Sequence, residues 1–74
     1  MMDLKTYLAE TGTSQRAFAE KAGLSPSFLN EMLQGTKEPG LDTAQRIASA
    51  TDGAVSLAAW PKLAAVIAAA RGAA

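Results

Sequence analysis

Residues Ser14–Gly35, SQRAFAEKAGLSPSFLNEMLQG, contain two sets of helix start and stop signals in immediate succession. The first helix is expected from about Gln15 to Ala22, after a cap at Thr13 or Ser14. Ala17, Phe18, Ala19 and Ala22 cover one broad face at helical spacing. Gly23 marks a tight turn. The second helix opens at Ser25–Pro26. The Ser25 hydroxyl can accept from an unpaired amide one turn on, and Pro26 occupies the first helical position, where a missing N–H costs nothing. Gly35 ends it, at a place that commonly needs a left-handed residue. Two short helices joined by a glycine turn form a helix-turn-helix.

Outward from this pair, the remaining chain reads as further short helices. Asp3 can cap a helix from about Leu4 to Glu10, with Leu4, Tyr7 and Leu8 on its inner side. After Gly35 comes the loop TKEPG. Asp42 and Gln45 have capping-box spacing, which predicts a helix from Thr43 to about Thr51. Its inner residues would be Ala44, Ile47, Ala48 and Thr51. Asp52–Gly53 stops it, Val55 plugs the core, and Ser56 caps the short turn LAAW. Pro61 opens a last helix over 61–71, with Leu63, Val66 and Ile67 on one stripe. The fold class is all-α: a bundle of about five short helices forming a single domain over 1–74.

Composition narrows the function. The chain has 74 residues, with no cysteine and no histidine. Disulfides, thiolate metal sites and the commonest general base are therefore absent. No metal site, no cofactor and no catalytic residue is expected. No glycine-rich phosphate loop or pair of carboxylates at useful spacing occurs, and so small a bundle is expected to leave little room for a pocket of ~300 Å³. Seven basic and seven acidic residues cancel, which argues against strong non-specific affinity for a polyanion. The apolar run Leu63–Ala70 is far short of the ~20 residues needed to span a membrane. The N-terminus lacks the architecture of an export signal, so a cytoplasmic location is expected.

Several features stand in a familiar order. They are Gln15 opening the first helix, Ala19 inside it, Gly23 in the turn and Ser25 opening the second helix. Leu29 and Met32 follow as its buried face, then Gly35, and Pro39 in the next loop. Together, over roughly Leu4 to Trp60, they resemble the Cro/CI-type (XRE-like) helix-turn-helix regulators of phages and bacterial toxin–antitoxin loci. The segment TDGAVSLAAWP is similar to the short tail of small Cro-like or YdaS-like antitoxin proteins. The resemblance implies a lambda-repressor-like fold, double-stranded DNA as partner and a second helix lying in the major groove. A toxin is a further partner it implies. It assigns Gln15 a phosphate contact, and it places Thr36 and Lys37 against phosphate in the loop that follows.

On the outward face of the second helix, Ser27 is placed for a base edge or phosphate, and Asn30 for adenine. Phe28 either rests on a thymine methyl or covers the edge of the core. Glu31 either accepts from a cytosine amino group, stays solvated, or pairs with Lys37 or Arg16. Ser25, at the amide-rich end of the helix, and Arg16, on the preceding helix, complete the candidate DNA contacts. Lys5, Arg46, Lys62 and Arg71 are expected to be solvated.

So few cations predict weak binding by a monomer and a homodimer on a near-palindromic operator. Trp60, Leu63, Val66 and Ile67 form the candidate dimer surface. The alternative is that the same stripe closes the protein's own core against Leu4, Tyr7 and Leu8, and Trp60 decides between the two: buried it is core, exposed it is an interface anchor. The competing function is a protein-binding module of the same fold that has lost DNA binding.

Overall fold

Side-chain caps and left-handed glycines punctuate the first half of the chain in the computed structural model, which describes residues 2–72. Five α-helices follow in order: α1 Leu4–Thr11, α2 Gln15–Ala22, α3 Pro26–Gln34, α4 Leu41–Ala50 and α5 Pro61–Gly72, with a 3-10 turn at Leu57–Ala59 before α5. The all-α class holds. Asp3 caps α1, accepting from the Thr6 amide at 2.7 Å. That bond holds the Asp3 carboxyl below its ordinary pKa, because it favours the charged form. Ser14 and Ser25 cap α2 and α3, accepting from Ala17 and Phe28 at 3.1 Å each.

Gly23 ends α2 with φ +71°. The amide of Leu24 bonds back to the Ala19 carbonyl at 2.8 Å. This closure satisfies carbonyls that the helix end leaves without partners, and it redirects the chain into α3 within three residues. Gly35 does the same for α3 at φ +82°.

The start of α4 differs from expectation. Its N-cap is Gly40, with no side-chain bond, and the helix begins two residues before the predicted Thr43. Pro39 is buried and anchors the loop. The chain turns helical immediately after it, and the Ala44 amide reaches the Gly40 carbonyl at 2.9 Å. Asp42 is therefore not the cap. It lies in the first turn, where a carboxylate complements the helix dipole, 3.6 Å from Arg46.

The core is built from Leu4, Leu8, Phe18, Ala19, Ala22, Leu29, Met32, Ala44, Ile47, Val55 and Trp60. Phe18, Leu29, Ile47 and Val55 are fully enclosed, and Tyr7 meets the Phe18 ring edge-on at 6.2 Å. Thr51 explains how Val55 is held there. Its buried hydroxyl donates to the Ile47 carbonyl at 2.9 Å and accepts from the Val55 amide at 3.1 Å. A buried hydroxyl satisfied in this way avoids the desolvation cost of an orphan polar group.

Trp60 is 8% exposed and belongs to the core. It is thereby removed from the expected dimer surface, because its ring is already enclosed in the buried cluster. Beyond it α5 has no buried residue. Leu63 packs partly on the core, Ile67 is half-buried and Val66 is 64% exposed.

Candidate nucleic-acid interface

Gln15 and Asn30 come together across one open hollow of about 710 Å³ between α1, α2 and α3. Lys5, Ser14 and Gln34 share its rim. Ser14 and Gln15 are the cap and first residue of α2. The first amides of a helix have no carbonyl one turn earlier to bond, and they carry partial positive charge, so this end of α2 suits an anionic oxygen. Lys5 adds a full charge at the same hollow. Lys5 is exposed, as expected of a solvated lysine, and borders the hollow from α1. The hollow exceeds the little room expected of so small a bundle, as does a second of about 670 Å³ beside the loop after α3. Both are open grooves.

Ser27, Asn30 and Gln34 lie exposed on α3, and Pro26 leads the same surface. Among the described residues no hydrogen bond engages the side chains of Ser27, Asn30 or Gln34. Leu29 and Met32 on the opposite side are buried. The flank of α3 is thus polar and open, with Glu31 as its one acid, whereas its inner face is locked into the core. Phe28 is half-buried and packs against that core, so it covers the core edge. Ser25 spends its hydroxyl oxygen on the Phe28 amide.

The loop after α3 departs from what the resemblance implied. Thr36 donates both its amide, at 3.0 Å, and its hydroxyl, at 3.1 Å, to the carbonyl of Glu31. The Lys37 amide lies 3.4 Å from the same carbonyl, and Lys37 Nζ sits 3.1 Å from Glu31 Oε2. The donors expected to face phosphate are therefore turned back onto α3. The left-handed residue at Gly35 causes this, because it folds the chain over the last turn of the helix. Of the alternatives for Glu31, pairing with Lys37 is the one observed. Arg16 instead lies 3.8 Å from Glu20, with both side chains highly exposed; such a surface pair contributes little.

Three of the seven basic residues are thus matched by acids, at Arg16, Lys37 and Arg46. Among the described residues no cluster of acids could hold a metal ion, and no helix is long and apolar enough to cross a membrane.

The fold and the open flank of α3 define a helix-turn-helix protein, with α2 and α3 as the motif. The match to a family model agrees: the helix-turn-helix family HTH_3, of the Cro/C1 type, covers residues 4–58. The chain belongs to that family, one of DNA-binding regulators that are not usually enzymes. The matched residues run from the start of α1 into the 3-10 turn, so α5 lies beyond them. No curated protein and no solved structure matches the chain.

Proposed function

We propose that this protein is a cytoplasmic, sequence-specific regulator that occupies a near-palindromic operator as a homodimer and blocks access to the promoter. The observation that carries the reading is the free polar flank of α3, Ser27–Asn30–Gln34, beside the amide end of α2. A duplex seated there meets neutral hydrogen-bonding groups in its major groove, while Gln15 and Lys5 meet the backbone alongside. Operator binding in this form needs no chemical step. Similarity of TDGAVSLAAWP to small antitoxin tails favours either an antitoxin, with a toxin partner, or a phage repressor. Selection from random duplex DNA at physiological salt tests the reading. An inverted repeat with half-sites about 34–36 Å apart is expected. Recovery of no motif by folded protein would favour the protein-binding alternative, which the zero net charge supports.

The dimer rests on α5. A 12-residue helix is marginal in water without a packed face, yet this one carries Val66 exposed and Ile67 only half-buried. A second copy would cover that stripe and bring two α3 helices to one duplex. Val66→Glu is expected to leave the fold intact, since an exposed substitution changes stability by about 0.5 kcal/mol or less. It should also give monomers in sedimentation equilibrium and lower operator affinity by roughly 100-fold, through lost avidity. Wild-type protein that sediments as a monomer while still bound to a full operator would contradict the dimer.

A further inference from the structure

The geometry points to Glu31 as a residue that lowers the protein's hold on random DNA by keeping Lys37 occupied. This inference rests on the DNA-binding reading and adds a determinant of selectivity to it. The pair is assembled by the backbone. Gly35 reverses the chain at φ +82°, and Thr36 ties the returning strand to the Glu31 carbonyl through two bonds of 3.0 and 3.1 Å. Lys37 Nζ is thereby delivered to within 3.1 Å of Glu31 Oε2. That oxygen is shielded from solvent and has no aligned hydrogen bond, so among the described residues its charge is answered by Lys37. Glu38, next along the chain, lies beyond ion-pair distance of Lys37. The Lys37 side chain is 61% exposed and that of Glu31 36%, so this pair is closer and more shielded than Arg16–Glu20, which is open on both sides.

The consequence follows from counterion release. Every phosphate neutralised steepens the fall of log affinity with log salt by about 0.9 and strengthens binding to any sequence alike. In a chain with no net charge, one withheld lysine is a large share of that sequence-independent affinity. Withholding it leaves discrimination to the neutral groups on α3 and widens the gap between operator and random duplex.

Glu31→Gln tests this, because it keeps the shape and leaves the Glu31 backbone carbonyl and its bonds to Thr36 in place. Binding to a random duplex is measured from 50 to 200 mM salt for wild type, Glu31→Gln, Lys37→Met and the double variant. Melting curves confirm that each is folded. Glu31→Gln is expected to bind random duplex roughly tenfold more tightly at 50 mM salt, with a slope steeper by about 0.9. Lys37→Met uncovers the Glu31 carboxylate and should weaken random binding, whereas the double variant, with neither charge, should keep the wild-type salt slope.

A double variant whose salt slope is shallower than wild type by about 0.9 would overturn the proposal, because it would mean that the pair opens on DNA and Lys37 meets a phosphate. Weaker binding by Glu31→Gln would also overturn it and make Glu31 a direct contact. An unchanged slope in Glu31→Gln, with wild type binding in a salt-dependent way, would sink this proposal alone. No salt-dependent binding by any of the four proteins would sink it together with the DNA-binding reading.

Discussion

Ser27→Ala combined with Asn30→Ala is expected to erase the protein's preference for its operator over a scrambled duplex. Asn30 is an exposed amide in mid-α3, and Ser27 lies one turn closer to the helix start on the same open flank. A bidentate amide on adenine contributes about 1–3 kcal/mol of discrimination. In a two-fold complex the loss counts twice, so the specific-to-random ratio should fall by roughly 100-fold or more. The fold should be indifferent. Neither side chain bonds within the described residues, and alanine is the better helix former at exposed positions. Competition binding with operator and scrambled duplex, set beside thermal melts, reads both halves of the expectation. An unchanged ratio would mean that sequence is read elsewhere. A lowered melting temperature would mean that the two polar groups support the fold.

Gly23→Val is expected to have the opposite signature, damaging stability first and binding only as a consequence. At φ +71° the turn residue lies in the left-handed region. A Cβ built there would meet nothing closer than Arg46 Nη1 at 4.0 Å. The penalty is therefore backbone strain and not a clash. It amounts to about 1–2 kcal/mol for an ordinary L residue, with a β-branched one at the upper end or beyond. A domain of this length has about 4–11 kcal/mol in total, so the loss is substantial. With a shift of about 4–8 °C per kcal/mol, the melting temperature should fall by roughly 8–16 °C. Gly23→Asn should fall least, because asparagine tolerates this conformation. Circular-dichroism melts of the two variants suffice. Equal melting temperatures for Gly23→Val and wild type would contradict the left-handed turn.

The parts of this fold that are legible in the sequence are those set by neighbouring residues. α2 and α3 begin and end where Ser14, Gly23, Ser25 and Gly35 signal, because a cap needs only a hydroxyl and an amide three residues apart. The inner faces of α3 and α4 follow from helical period. Legibility fails where distant parts of the chain decide. Asp42 and Gln45 had the spacing of a cap, but buried Pro39 started α4 earlier. Trp60 is as apolar as an interface anchor and as apolar as a core residue; only its burial in the folded chain distinguishes them. Lys5 and Gln15, ten residues apart, border one hollow, a meeting that leaves no trace in local spacing. Thr36 and Lys37 matched a phosphate-binding loop by position, yet the reversal at Gly35 turned their donors onto Glu31.

Amide chemical-shift mapping reads directly which surface meets a duplex. A uniformly labelled sample titrated with its selected operator should show the largest changes at Lys5, Gln15, Ser27, Asn30 and Gln34, and small ones along the outer face of α4. Changes concentrated on α4 or on the 3-10 turn, with α3 silent at saturating DNA, would contradict the assignment of α3 as the reading helix.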